Sequence, residues 1–406
     1  MKNTGGKKLF NKLYKHLNFW NIVVLIFLIL SAIFIIYPFG KMFLQSFTSS
    51  TEEGFTLANY LTFFQKKYYY TALINSIKIC FVTTILATGL GVPLAYIGTR
   101  FNLYFKRTIN IMIVLSMLSP PFIGAYSWIT LLGRAGVITK LLASIGIEIG
   151  SIYGFKGIIL VFVLKLFPLV YLYVSGALGS IDSSLEEASE SLGVSGIKRM
   201  MKVTFPVILP TILSAALMVF MTTLADFGTP RLIGEGYNVL PVIIYKEFLN
   251  EVGTNPSFAS ALSVLITIIA VLVLWIQKSI VDKKSYNMTS LRPPVPVELP
   301  VGKKILATAA VFIVAFLAVV PQITVVVMSF IKTKGPLFVK GFSLESYRNI
   351  LSKLSTNITN TFLFSVLAIM IIVVIGLLGS YVIVRRKSKI TSFLDMLLMF
   401  PYVIPG

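Results

Sequence analysis

Residues 180–210 read SIDSSLEEASESLGVSGIKRMMKVTFPVILP. Ser183 followed by Glu186 has the form of a capping box, and Asp182 adds negative charge where a helix N-terminus is electropositive. The pattern predicts a short helix from Leu185 to Leu192, ended by Gly193. Gly196 then opens a basic stretch holding Lys198, Arg199 and Lys202. Pro206 falls in the first turn of the apolar run that follows, where its missing N–H costs nothing. By itself this is an amphipathic loop, and its meaning depends on what flanks it.

Both flanks are long apolar runs. The 406-residue chain is 56% hydrophobic and 13% charged, whereas a soluble domain carries roughly 25% charged residues. Too little polar surface is present to cover a water-facing globule, so lipid is the expected solvent. A helix needs about 20 apolar residues to cross the hydrocarbon core, and only helices or closed barrels satisfy their backbone there. The runs are too long and unbroken for barrel strands. Spans are expected at 19–44, 71–99, 109–131, 157–179, 205–226, 257–279, 303–330, 357–384 and 390–406. The class is therefore an all-α polytopic membrane protein. Residues 1–18 form a basic arm, and the run after them reaches Tyr37-Pro38 without a small-residue cleavage site, so it reads as a retained span.

A net charge of +21 would suggest nucleic acid in a soluble chain. Here its distribution is informative. With Lys2, Lys7, Lys8, Lys12 and Lys15 in the cytoplasm, alternation places four further basic clusters on the same side. They are Arg100, Lys106, Arg107; Lys198, Arg199, Lys202; Lys278, Lys283, Lys284, Arg292, Lys303, Lys304; and Arg385, Arg386, Lys387, Lys389. The outer loops keep some basic residues, among them Lys332, Lys334 and Lys340. The single cysteine, Cys80, and single histidine, His16, leave no basis for a disulfide framework or a metal cluster, and no cofactor is expected.

The chain also repeats itself at an offset of about 286 residues. FTLANY (55–60) answers to FSLESY (342–347), and Asn75 to Asn360. Gly91, Ala95-Tyr96 and Arg100 answer to Gly376, Ser380-Tyr381 and Arg385, and, after a four-residue deletion, SPPFIG (119–124) to FPYVIP (400–405). An even number of spans separates the copies, so the repeat is parallel, with its pseudo-twofold axis along the membrane normal. The expected organisation is a first half at 19–279, a proline-rich extended cytoplasmic linker at 280–302 and the start of a second half at 303–406. A second copy mirroring the first would run on for roughly 150 residues past Gly406. The second repeat is read as incomplete, and 406 residues alone are not expected to form a working transporter.

Glu187-Ala188-Ser189, three residues, Gly193, nine residues, then Val203-Thr204-Phe205-Pro206 resembles the EAA signature of permeases of binding-protein-dependent ABC importers. It departs from that pattern in Ser189 and in Phe205 before the proline. The resemblance implies a type I ABC importer permease fold in a bacterial cytoplasmic membrane. It also implies cytoplasmic ATPase subunits and an extracytoplasmic solute-binding protein as partners. In such permeases the short helix docks in a groove of the ATPase. Small side chains at Ala188 and Ser189 would permit close approach, Gly193 the sharp turn, and Glu187 a pair with a basic residue of the ATPase. The chain contains no Gly-x-x-x-x-Gly-Lys-Ser/Thr phosphate loop, so ATP hydrolysis is expected in a partner and no catalytic residues in this chain.

Two fused halves, and TTLADFGTPRLIGEG at 222–236, resemble the iron(III)-type importers. The same branch includes polyamine, sulfate, molybdate, thiamine and aminoethylphosphonate permeases, which stand as alternatives. A secondary transporter or channel is the competing class; it predicts intramembrane acidic residues, which are rare here. Lys165 is the one clear intramembrane charge: it either faces the bundle interior or snorkels to the outer interface. Asp226, at the outer end of its span, reads as interfacial rather than as a substrate ligand. Segment 231–256 either docks the binding protein or is an interfacial helix.

Overall fold

The computed structural model describes residues 18–48, 54–118, 120, 122–148, 150–194, 196–249, 255–281, 292, 294–334 and 337–403. The basic arm, Lys283 and Lys284 of the linker and the last three residues lie outside these. Among the described residues, seven helices are long and apolar enough to cross a membrane. They are α1 (Phe19–Ser46), α3 (Lys67–Arg100), α7 (Phe155–Gly179), α9 (Met200–Ala225), α12 (Pro256–Val281, apolar to Gln277), α13 (Val301–Ser329) and α15 (Ser355–Arg385). Between them lie α2 (Ala58–Gln65), α4 (Lys106–Met117), α5 (Ile123–Leu132), α6 (Val137–Ser144), α8 (Ser183–Ser191), α10 (Gly228–Ile233), α11 (Leu240–Leu249) and α14 (Glu345–Lys353), with α16 (Lys389–Val403) last.

Two sequence expectations need correction. Span 109–131 is not one helix: α4 ends at Met117 and α5 begins at Ile123. Pro120 and Pro121 supply no N–H for a continuous ladder, and Phe122 sits at φ +71°. Second, Ile331–Lys334 (β1) and Leu337–Phe342 (β2) pair antiparallel, so the all-α description holds for the spans but not for this hairpin. Within the expected span 390–406 the described helix is α16, Lys389–Val403.

Two prolines coincide with a local change of helix type, whereas Pro93, Pro168, Pro210 and Pro321 lie within α-helices. The π-helical turns at Ala32–Ile36 and Met200–Thr204 stand just before Pro38 and Pro206. A proline ring clashes with the carbonyl four residues back, and a wider turn relieves that clash.

The chain packs as two compact units, Phe47–Met328, and Met1–Ser46 together with Ser329–Ile404. In the first, the axis of the core is α3 against α7. In lipid no hydrophobic gain drives helices together, so association rests on close packing. A Cβ on Gly91 would lie 2.7 Å from Val170 Cβ and 3.0 Å from the Phe167 carbonyl oxygen. Two turns on, a Cβ on Gly98 would meet the Tyr171 hydroxyl, whose own hydrogen bond runs to Asn110 Oδ1 of α4 at 3.1 Å. Phe162, Phe167, Val170 and Val174 are buried along this seam.

Loops at the two ends of this unit confirm the alternation of its spans. At one end Arg100 pairs with Glu186, and Val297 bonds to Arg100 and Asn102. At the other, Asn75 donates to the Asn238 carbonyl at 3.0 Å, Gly154 N–H to Ile233 at 2.8 Å and Tyr69 to Glu247 at 3.1 Å. Segment 231–256 is in large part the packed helix α11, with Leu240, Pro241, Val242 and Ile243 buried.

The packing units and the sequence copies do not coincide. The leading span of the second copy, α13, belongs to the first unit: Ser127 of α5 donates to the Pro321 carbonyl at 3.1 Å, and Gln322 to the Ser116 carbonyl at 3.2 Å. The leading span of the first copy, α1, belongs to the second unit. There Trp20 stacks on Tyr381 with centroids 4.1 Å apart, and Val23 and Phe27 pack on Val382 and Leu394.

The repeat itself is visible in local geometry. After α1, Phe47 stacks on Phe55 at 4.6 Å and touches Tyr60 at 5.3 Å. After α13, Phe330 stacks on Phe342 at 5.7 Å and touches Tyr347 at 5.5 Å. Thr56 N–H bonds to the Phe47 carbonyl at 2.7 Å, and Ser343 N–H to that of Phe330 at 2.9 Å. The Thr56 and Ser343 hydroxyls then accept the first N–H of α2 and α14.

Gly91→Leu should force α3 off α7 and lower thermal stability in detergent by about 1–3 kcal/mol, the cost of overpacking a filled site. Gly89→Leu is the control, because a Cβ there meets nothing within 4 Å. Equal melting midpoints for the two variants would show that the α3–α7 seam does not depend on Gly91.

Candidate functional site

The loop after α7 is built from short-range rules. Asp182 is the N-cap of α8, and its carboxylate accepts Ser184 N–H at 2.9 Å. This corrects the capping box: Ser183 is the first helical residue, and Glu186 reaches out to Arg100 instead of back to the cap. The helix closes in a Schellman motif: Val194 N–H bonds to the Ser189 carbonyl and Gly193 N–H to that of Glu190, both at 2.9 Å. Gly193 sits at φ +72° with nothing within 4 Å of a built Cβ, so the demand for glycine there is conformational and not steric. Gly196, at φ +59°, reverses the chain into the helical stretch that becomes α9.

This folding gives α8 two faces. Ser189 is buried, its hydroxyl donating to the Glu186 carbonyl at 2.8 Å. Glu187, Ala188 and Ser191 are exposed, and Leu192 is 82% exposed. Of the expected contact residues, Glu187 and Ala188 are thus on the open face, whereas Ser189 supports the C-terminal turn. Glu190 pairs with Arg199 at 3.5 Å. Val203 lies half-buried in the π turn, and exposed Pro206 stands just inside the regular part of α9.

The loop is anchored by Arg100, the last residue of α3, whose guanidinium pairs with Glu186; the two side chains are 8% and 18% exposed. Sequence reading counted Arg100 among basic loop residues and matched it to Arg385 in the repeat, but did not pair it with Glu186. Its place opposite Arg385 in the repeat was the available signal.

A second charged site lies within the spans. Lys165 Nζ of α7 is 2.8 Å from Asp226 Oδ2, the two side chains being 29% and 12% exposed. Asp226 Oδ1 accepts Thr229 N–H at 2.9 Å, so one carboxylate both pairs with the lysine and accepts an N–H from the first turn of α10. Lys165 lines a cavity of about 20 Å³ with Ser116, Trp128, Pro321 and Gln322, and Asp226 one of about 10 Å³ with Ser76, Cys80 and Thr223. The ion pair stands between them. Beside it, Phe122 holds a backbone conformation costly for a bulky residue, its ring packed over Gly228 where a Cβ would be 2.9 Å away.

Residues 87–286 match the family described as binding-protein-dependent transport system inner membrane component. The chain is 26% identical over 398 residues to a ferric transport system permease protein of Actinobacillus pleuropneumoniae, covering 95% of this chain and 56% of that protein. It is 27% identical over 373 residues to an Fe(3+)-transport system permease protein of Haemophilus influenzae, covering 91% and 67% respectively. The chain therefore spans little more than half the length of the first of these relatives. Among solved structures, a bacterial ABC transporter involved in alginate import matches with a TM-score of 0.57 at 15% identity, over 69% of this chain and 100% of that one. At that identity the likeness concerns the fold alone.

Breaking a buried pair from one side strands the other charge, at a cost of about 3–5 kcal/mol. Lys165→Met should approach the lower end of that range, since the lysine is 29% exposed. Adding Asp226→Asn should recover much of the loss. Strictly additive melting shifts in the double variant would mean that the two charges do not interact.

Proposed function

We propose, for a chain whose residues 87–286 belong to the family of binding-protein-dependent transport system inner membrane components, the role of transmembrane permease in an ATP-driven importer of ferric iron. The observation that carries this reading is the α8 loop. It offers an open face of Glu187, Ala188 and Leu192, a glycine-fixed turn behind it and a buried ion pair joining it to α3. That is the form expected of a part that receives force from another protein and hands it to the spans.

In this proposal the open face seats in a groove of a cytoplasmic ATPase subunit, and Glu187 meets a basic residue there. Closure of the ATPase pushes on α8, and the short, capped helix transmits the push as a rigid body. The N-terminal arm and the α8 loop then lie in the cytoplasm, in line with their lysines and arginines. A solute-binding protein delivers cargo on the opposite face, and lipid surrounds the spans. Ferric iron follows from the character of the relatives and from the DFGTP segment at 226–230. Lys165 and Asp226 are the charges proposed to border the pathway.

Two measurements bear on this. With the substitutions placed in the chromosomal gene and the complex recovered in membranes, Gly193→Val and Glu187→Lys should leave the protein inserted. Substrate-stimulated ATP hydrolysis should fall at least about tenfold, equivalent to about 1.4 kcal/mol of coupling. Wild-type stimulation in both would remove the loop from the mechanism.

For the cargo, cells lacking the gene should grow poorly when ferric iron is limiting and recover on iron addition. Recovery on a polyamine or a phosphonate instead would transfer the assignment to that branch of the family.

A further inference from the structure

The linker between the two copies does not hang free among the described residues. Arg292 and 294–300 lie along the ends of two helices and use backbone groups that those helices leave unpaired. A helix has no internal partner for its last carbonyls or its first N–H groups. The Arg100 carbonyl, at the end of α3, accepts Val297 N–H at 2.8 Å, and the Val297 carbonyl accepts Asn102 N–H at 3.1 Å, a parallel bridge. At the start of α8, Ser183 N–H donates to the Arg292 carbonyl at 3.0 Å, and Arg292 N–H donates to the Asp182 carboxylate at 3.2 Å. Asp182 thus caps its own helix and holds the linker with the same side chain.

Side chains carry the connection onward. Asn102 donates to Glu298, and Lys304 in the first turn of α13 donates to the same carboxylate at 3.0 Å. These bonds, Asn102's first, hold the Glu298 carboxyl below the usual carboxylate range. Lys304 also lies 4.8 Å from the centre of the Tyr104 ring, and Tyr104 N–H reaches the Thr308 hydroxyl of α13 at 3.2 Å. Pro294, Pro296 and Pro300 keep this stretch extended before it docks, so little chain entropy is lost in placing it.

We infer that residues 292–304 are a positioning strap which sets the angle of α8 against α3 and makes α8, α3 and the leading span of the second copy move as one block. The inference rests on the coupling role proposed for α8. α8 cannot tilt away from α3 without breaking the Arg292 bonds, the Val297 bridge or the Arg100–Glu186 pair. A push on the first copy's loop is therefore delivered to α13 of the second copy as well.

Val297 tests this cleanly, because its side chain is 55% exposed and its role lies in its backbone. Val297→Pro removes the N–H and keeps the extended conformation; Val297→Ala keeps both. In the complete transport complex, Val297→Pro should lower substrate-stimulated ATP hydrolysis and uptake about fivefold to tenfold, the scale of one to two hydrogen bonds. Val297→Ala should stay within about twofold by the same measure. Gly193→Val is run beside them. Loss of coupling in Gly193→Val with wild-type behaviour in Val297→Pro overturns the strap and leaves the permease reading standing; wild-type behaviour in Gly193→Val overturns that reading instead. Independently, cysteines placed at Asn102 and Val297 should join through a short thiol-to-thiol reagent, since the native Cys80 is buried. Failure to join would show that the strap does not lie along this loop.

Discussion

The contact on which the rest of this molecule depends is the close approach of α3 and α7 at Gly91. In water, two apolar helices gain free energy merely by leaving solvent; in lipid they do not, and each must fit the other better than it fits acyl chains. Gly91 leaves room for Val170 and for the carbonyl of Phe167, and Gly98 does the same for Tyr171 two turns later. With that seam closed, Arg100 at the end of α3 comes within reach of Glu186, and Lys165 on α7 within reach of Asp226. The first charged site thus lies at the end of this seam, and the second joins α7 to the end of α9.

Four polar contacts of the first unit follow a common logic. Away from water an unmet charge or donor costs more than it does at a surface, and the described contacts answer that cost with specific partners. Lys165 has Asp226, Arg100 has Glu186, Tyr171 has Asn110, and Ser127 uses the carbonyl at Pro321. Each such bond joins two different elements. Polar side chains here act as fixed points between helices that dispersion forces alone would let slide.

Duplication adds a second layer. The same aromatic turn, Phe47 with Phe55 and Tyr60, then Phe330 with Phe342 and Tyr347, follows the leading span of each copy. Yet the leading spans pack with the unit that holds the other copy's helices.

What residues 19–403 show of their fold by sequence alone is what depends on local pattern. Apolar run length marked the long spans, because the bilayer imposes a minimum of about 20 residues on any helix that crosses it. The spacing from Glu187 through Gly193 to Pro206 marked the loop, because a Schellman turn demands glycine at a single position. The registers of Phe55 and Phe342 marked the repeat. Tertiary structure alone decided that Asp182 and not Ser183 caps α8, that Ser189 turns inward, that the 109–131 run breaks at its prolines and that Lys165 finds Asp226. It also decided that the linker lies along α3 and α8 and that each leading span packs with the other copy. The last of these, the Lys165 pair, the docked linker and the packing of the leading spans, are set by pairings between distant residues, 61 positions apart for Lys165 with Asp226 and 204 for Tyr104 with Thr308. No periodicity along one chain segment encodes which distant segment will meet it.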